Sequence, residues 1–172
     1  MGMYPGGHIV RVSPTLSTDA YAQGDVLFNL TEIKDAVPSR GGASILRSIF
    51  MVDYSDAGNN DIQIIFTEKN TTELGSVNAT ANISDANFKA NNLIGTTFLD
   101  ADQATTGDRI DNLVIQQSLS SSQSSEAHNP LLLVQAKSGS TSIYFSGVLH
   151  SSTTPTFADD SLEFIFHFEY LG

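Results

Sequence analysis

The chain has 172 residues, a net charge of −11 from 19 acidic and 8 basic side chains, and no cysteine. Its length suits one domain and buries enough surface to fold without a metal or a cross-link. The absence of cysteine excludes disulfide scaffolds, thiolate metal sites and cysteine nucleophiles, and it fits folding in a reducing cytoplasm.

The basic residues form no run. Lys34, Arg40, Arg47, Lys69, Lys89, Arg109 and Lys137 are scattered along the sequence. A phosphate backbone needs clustered Lys and Arg, so the expected partners include no nucleic acid and no membrane. No stretch approaches the roughly 18 apolar residues of a membrane span.

The chain opens on "MGMYPGGHIV", which lacks a basic segment followed by a long apolar core and so does not read as a secretory signal. Residues 1–18 read as an N-terminal arm with a first strand over "HIVRV", and residues 19–172 as a single β-sandwich domain. In "DVLFNLTEI", alternation puts Val26, Phe28, Leu30 and Glu32 on one side and Leu27, Asn29, Thr31 and Ile33 on the other. A weak helix signal covers "TEIKDAV" and stops at Pro38.

"ASILRSIFMVDYS" is a long apolar strand, and "DIQIIFTE" follows it after "SDAGNND". The Asp, Gly and Asn between them are turn formers, which predicts a hairpin. The best helix is "ISDANFKANNLIG": Ser84 caps it, Asp85 sits in its first turn, Ala86, Phe88 and Ala90 are interior, and Asn91 and Asn92 end it. Phe88 is its expected anchor into the core.

"DADQATTGDRIDN" and the serine tract "SLSSSQSSEAHN" read as exposed loops. "NLVIQQSL", "PLLLVQAK" and "SIYFSGVL" are further strands. "AKSGSTS", with Gly139 available for a positive φ, predicts a second hairpin. The last strand is "LEFIFHFEY". Leu162, Phe164, Phe166, Phe168 and Tyr170 share one face, and Glu163, Ile165, His167 and Glu169 share the other.

About eight to ten short strands with turns between them, and one short helix near residues 84–91, predict an all-β antiparallel sandwich or jelly roll. The terminal aromatic face then lies against a facing sheet.

No catalytic constellation rises from the sequence. His167 and Glu169, two apart on a strand, stand about 7 Å from each other and suit a cation, with His150 or His128 as a third ligand. No recognised ligand spacing supports that set, so the face reads as solvated surface or a contact between subunits. "DYSDAGNND" has Asp53, Ser55 and Gly58 but places Ala57 and Ile64 where calcium ligands belong. "DADQATTGD" has Asp100 and Asp102 without the required glycine. Asp159 and Asp160 read as turn residues. Gly-x-Ser-x-Gly is absent, and neither "YPGGH" nor "RGGAS" has the lysine of a phosphate loop. No cofactor is expected, and the chain does not read as an enzyme.

The order of segments resembles a family of small structural proteins of tailed bacteriophages, including phages of marine bacteria. The residues that carry the likeness are Tyr21, Gly24, Asp25 and Val26; then Gly41, Gly42, Leu46, Ser48, Ile49, Met51 and Asp53; then Ser84, Asp85, Ala86, Asn87, Leu93, Ile94 and Gly95. It covers roughly residues 19–99. "VLFNLTEI" departs from the longer aliphatic run usual there.

The resemblance implies a sandwich or jelly-roll virion protein, often trimeric, that decorates the outer capsid surface by binding the major capsid protein after folding in the host bacterial cytoplasm. The alternative is a tail, knob or fibre module that binds a host surface glycan. A small hydrolytic or cupin-like enzyme is the third reading. For the decoration role, the expected contact residues lie in the N-terminal arm: Tyr4, Pro5, His8 and Val10, with Tyr4 as aromatic anchor.

Overall fold

A computed structural model describes residues 6–55, 57, 60–99, 104–105, 113–118 and 131–171, with 104–105 and 113–118 described as backbone. Ten strands and one helix follow in the order β1 (Gly7–Val12), β2 (Val26–Ile33), β3 (Ala43–Asp53), β4 (Ile62–Thr67), α1 (Asp85–Asn91), β5 (Leu93–Leu99), β6 (Ala104–Thr105), β7 (Leu113–Ser118), β8 (Leu132–Gln135), β9 (Ile143–Leu149) and β10 (Leu162–Tyr170).

Two antiparallel sheets face each other. One runs β1-β10-β3-β7-β6, with β8 also paired to β3; the other runs β2-β9-β4-β5. Set the short β6–β7 pair aside and the pairing is nested. β1 pairs β10, β2 pairs β9, β3 pairs β8 and β4 pairs β5. An eight-strand hairpin folded over on itself in this way is a jelly roll. The β6–β7 pair is an insertion between β5 and β8. β3 is long enough to hold β8 against Ala43–Leu46 and β7 against Ser48–Asp53.

Phenylalanines fill the space between the sheets. Phe28, Phe66 and Phe145 come from the four-stranded sheet, and Phe164, Phe166 and Phe168 from β10; each is at most 2% exposed. Phe145 meets Phe164 at 5.3 Å and Phe166 at 4.9 Å between ring centroids, both edge to face, the arrangement that the ring quadrupole favours. The predicted aromatic face of the last strand is therefore the inner face of β10, with Tyr170 half-buried at its end.

The nested topology corrects both predicted hairpins. β3 and β4 lie in different sheets, so "SDAGNND" is part of a crossing between layers. β8 and β9 also lie in different sheets, although Gly139 does take a positive φ of 87°. Turn residues report a reversal of direction but not which edge the returning strand joins. The weak helix over "TEIKDAV" is also overturned. β2 continues to Ile33, and Asp35 turns the chain in the left-handed region at φ 53°.

Alternation in β2 fails because its register against β9 shifts twice. Val26, Leu27 and Phe28 are consecutively buried, and Leu30 faces away from the main core. Leu30 joins Ile65, Leu74 and Val148 in a second apolar cluster outside the four-stranded sheet.

Helix α1 covers that cluster. Ser84 caps it as expected, with its hydroxyl accepting from the Asn87 amide, and Asn92 ends it at φ 52°. Phe88 packs on the second cluster and not on the main core, while Ala86 and Ala90 are exposed.

Candidate functional site

The outer face of β10 was the strongest sequence candidate for chemistry. Its two carboxylates are each taken by an arginine from a neighbouring strand. Arg11 Nη1 donates to Glu163 Oε2 at 3.0 Å, and Arg47 donates to Glu169. Tyr54 also donates to Glu163, and the His167 ring packs on Phe50 at 5.1 Å. His150 lies elsewhere, its ring on Phe98 and its Nε2 3.3 Å from Gln63 Oε1. His128 lies outside the described residues. Among the described residues no three His, Asp or Glu side chains converge as a metal site.

The loop after β3 is a turn built around a buried carboxylate. Asp53 is 1% exposed and accepts from the Ser55 amide and hydroxyl and from the Ala57 amide. Its oxygens point into the loop backbone. Gly58, Asp100 and Asp102 lie outside the described residues. Asp160, at φ 56°, turns the chain into β10.

The Tyr21, Gly24 and Asp25 motif is also structural. The Tyr21 hydroxyl accepts from the Ser17 amide at 2.6 Å and donates to the Leu27 carbonyl at 2.9 Å. Burial, above all, pushes its ionisation above 10.0; the charges of Asp25 and Asp19 push the same way, against the bond from Ser17. Asp25 Oδ2 accepts from the Ala22 amide at 2.7 Å, and the Asp25 carbonyl from the Leu149 amide. Together they pin the start of β2 to the end of β9.

Of the expected contact residues, Tyr4 and Pro5 lie outside the described residues, and His8 and Val10 lie in β1. His8 stacks at 5.1 Å on Tyr170, and Val10 packs on the main core. Their side chains hold β1 to its own sheet. The alternate residues face out, with Ile9 58% exposed.

β1 pairs only β10 among the described strands, so among the described residues its second edge is an open strand edge. The edge of β2 is treated differently. Residues 74–80 lie along it, bridged at Asp25–Thr80 and Val26–Val77, and Asn29 Nδ2 donates to the Gly75 carbonyl.

The fold also gathers charges that the sequence scatters. Residues 34–42, 68–72 and 136–142 and the last turn of α1 meet at one end of the sandwich, bringing Lys34, Arg40, Lys69, Lys89 and Lys137 together. At the opposite end, residues 13–25, 54–61 and 150–161 supply Asp19, Asp25, Asp61, Asp159 and Asp160, and among the described residues of those loops there is no Lys or Arg. Counting runs in the sequence missed this, because the cations are spread over three inter-strand segments, residues 34–42, 68–92 and 136–142.

The basic end is concave. A groove of about 570 Å³ opens between the start of β5 and the end of β8, with Arg40, Glu68, Asn92 and Gln135 on its walls and Leu93 and Ile94 beside them. A smaller recess of about 170 Å³ shares Glu68 and is lined by Lys69, Lys137 and Tyr144.

The walls are rigidly tied. Gly41 N donates to Ser140 O at 2.8 Å, and Ala136 N to Gly42 O at 3.1 Å. On the other side fully buried Asn91 accepts from the Thr71 and Thr72 amides and donates to the Thr72 carbonyl.

No protein-family model and no curated protein sequence matches the chain. Among solved structures it is similar to a chain of Desmodium yellow mottle tymovirus, at 8% identity and TM-score 0.28, over 97% of this chain and 86% of that one. It is also similar to the VP2 subviral particle of infectious bursal disease virus, at 11% identity and TM-score 0.25, over 96% of this chain and 41% of that one. The Gx strain of the same virus gives 13% identity and TM-score 0.23, over 98% and 37%. The strand pairing itself establishes the jelly roll.

Proposed function

We propose that the chain is a non-enzymatic virion component, a decoration protein that binds the major capsid protein on the outer surface of a phage head. The observation that carries this reading is the filled interior. A β-barrel that takes its ligand between its sheets keeps a cavity there. Here Phe28, Phe66, Phe145, Phe164 and Phe166 occupy it. Work is left to the surface, where adhesion needs area and shape. The likeness of residues 19–99 to small phage structural proteins supports the same reading.

The open edge of β1 is the contact element in this proposal. An extended segment of the shell adds to it as a further strand, against which the exposed Ile9 packs; Tyr4 and Pro5 are proposed as further contacts. His8 and Val10 contribute by holding β1 in register.

Purified protein is added to undecorated heads. Binding at hundreds of copies per particle, with a rise in the temperature at which the shell fails, is the expected result. A few copies per particle would transfer the chain to the tail, as an adhesion module. No binding at all would remove the decoration reading. Sedimentation of the free protein tests the trimer.

A further inference from the structure

We propose that the groove at the basic end is a binding site for an anionic oligosaccharide, a carboxylated or sulfated sugar chain. The inference is independent of whether the chain sits on a head or a tail.

Three observations converge on this ligand class. The first is charge. The chain carries −11 overall, yet Arg40 lines the groove and Lys69 and Lys137 line the recess beside it, with Glu68 on the wall of both. The ion pairs formed among the described residues are Arg11–Glu163 and Arg47–Glu169, on the outer sheet face. The groove cations are left to face solvent. Three cations around one shared carboxylate make this end of an acidic molecule attractive to anions.

The second is the polar lining. Gln135 and Asn92 carry amides that both donate and accept, and hydroxyl-rich sugars offer both roles on adjacent carbons. Glu68 sits between the two recesses, its carboxylate held by the Asn92 amide. An acceptor there suits sugar hydroxyls and would repel a uniformly charged polyanion. The third is shape. The groove falls within the size range of small-ligand sites, and its two walls are fixed by backbone bonds before anything binds. An acidic protein surface would call for a flatter face with aromatic anchors.

Titration calorimetry at low salt tests the site. The probes are a heparin-derived hexasaccharide and an oligogalacturonate of equal length, with a dextran oligomer as neutral control. Both anionic sugars should bind, and dextran should not. The double variant Arg40→Ala/Lys137→Ala should lose roughly tenfold or more in affinity through lost charge-assisted bonds. Arg11→Ala, on the outer sheet face, should change nothing. Glu68→Gln should bind sulfated sugar more tightly.

All four residues are exposed or half-exposed, and an unchanged melting temperature confirms that each variant folds. Failure of both anionic sugars to bind overturns the proposal. So does binding that survives the double variant. Equally tight binding of a poly-glutamate peptide or a single-stranded oligonucleotide would reassign the groove to those partners and overturn it as well.

Discussion

Phe28 lies against the backbone of Gly147: a β-carbon built on that glycine would stand 2.5 Å from Phe28 Cε1. The two are register partners on β2 and β9. The missing side chain is what lets the Phe28 ring turn inward to meet Phe145 at 5.0 Å and Phe164 at 5.2 Å. Gly147→Ala should therefore destabilise the protein by about 1–3 kcal/mol through overpacking. Chemical denaturation measures it, and a neutral result would show that the ring has room to move.

Phe166 sits at the centre of the inter-sheet contacts, touching Phe66, Phe145 and Phe168. Phe166→Ala should cost about 3–5 kcal/mol, the range for large cavities in a packed core. Removing all residues from Leu162 onward takes away the strand that, among the described residues, joins β1 to β3. That truncated chain should show no cooperative melt, and a soluble, cooperatively melting product would refute the role given to β10.

Burial raises the ionisation of the Tyr21 hydroxyl above 10.0. Its neutral form is the one that the fold favours. The stability it contributes is fully present below pH 10.0 and drains away as pH climbs through its folded-state value. Tyr21→Phe should lower stability at neutral pH by about 1–2 kcal/mol, through the unpaired Leu27 carbonyl. It should also flatten the alkaline loss. Denaturant midpoints from neutral to strongly alkaline pH check both, and parallel profiles for the two proteins would contradict the assignment.

The pairs Arg11–Glu163 and Arg47–Glu169 are exposed. Arg47→Ala should shift stability by no more than about 1 kcal/mol, and less still in high salt. A chelator should leave the melting temperature unchanged, since these carboxylates are engaged by arginine. A chelator-induced drop would reopen the outer face of β10 as a cation site.

Ile9→Lys keeps β1 paired to β10, because the side chain points away from the core. It should melt like the parent yet lose affinity for undecorated heads. Wild-type affinity in this variant would move the contact away from the β1 edge.

Strand identity was legible wherever one face of the strand stays buried from end to end, as in β10, whose register shift against β3 falls on the β3 side at Arg47. β10 alternates without interruption on its inner face, and reading every second residue from Leu162 found the core. β2 defeated the same procedure, since two register shifts put Leu27 and Phe28 both inside. The helix caps were legible because they are local chemistry. Where Phe88 docks was not, because the second cluster assembles from β2, β4, β9 and the segment at Leu74, far apart in the chain. The basic groove was invisible for the same reason. A site whose cations come from three separate loops leaves no spacing to recognise, and the nested pairing brings those loops to one end.

That nesting has a kinetic consequence. The innermost pair, β4 with β5, is joined by residues 68–92, which hold the one described helix, and each outer pair encloses all those inside it. Closing them in order from the centre keeps every loop-closure step small, whereas starting from β1 and β10 would require ordering nearly the whole chain at once. Refolding should thus zip outward and run on the slow, millisecond-to-second scale of high contact order. The edge that the proposed capsid contact needs, the free side of β1, would be the last surface of the molecule to exist, so partner binding awaits completion of the fold.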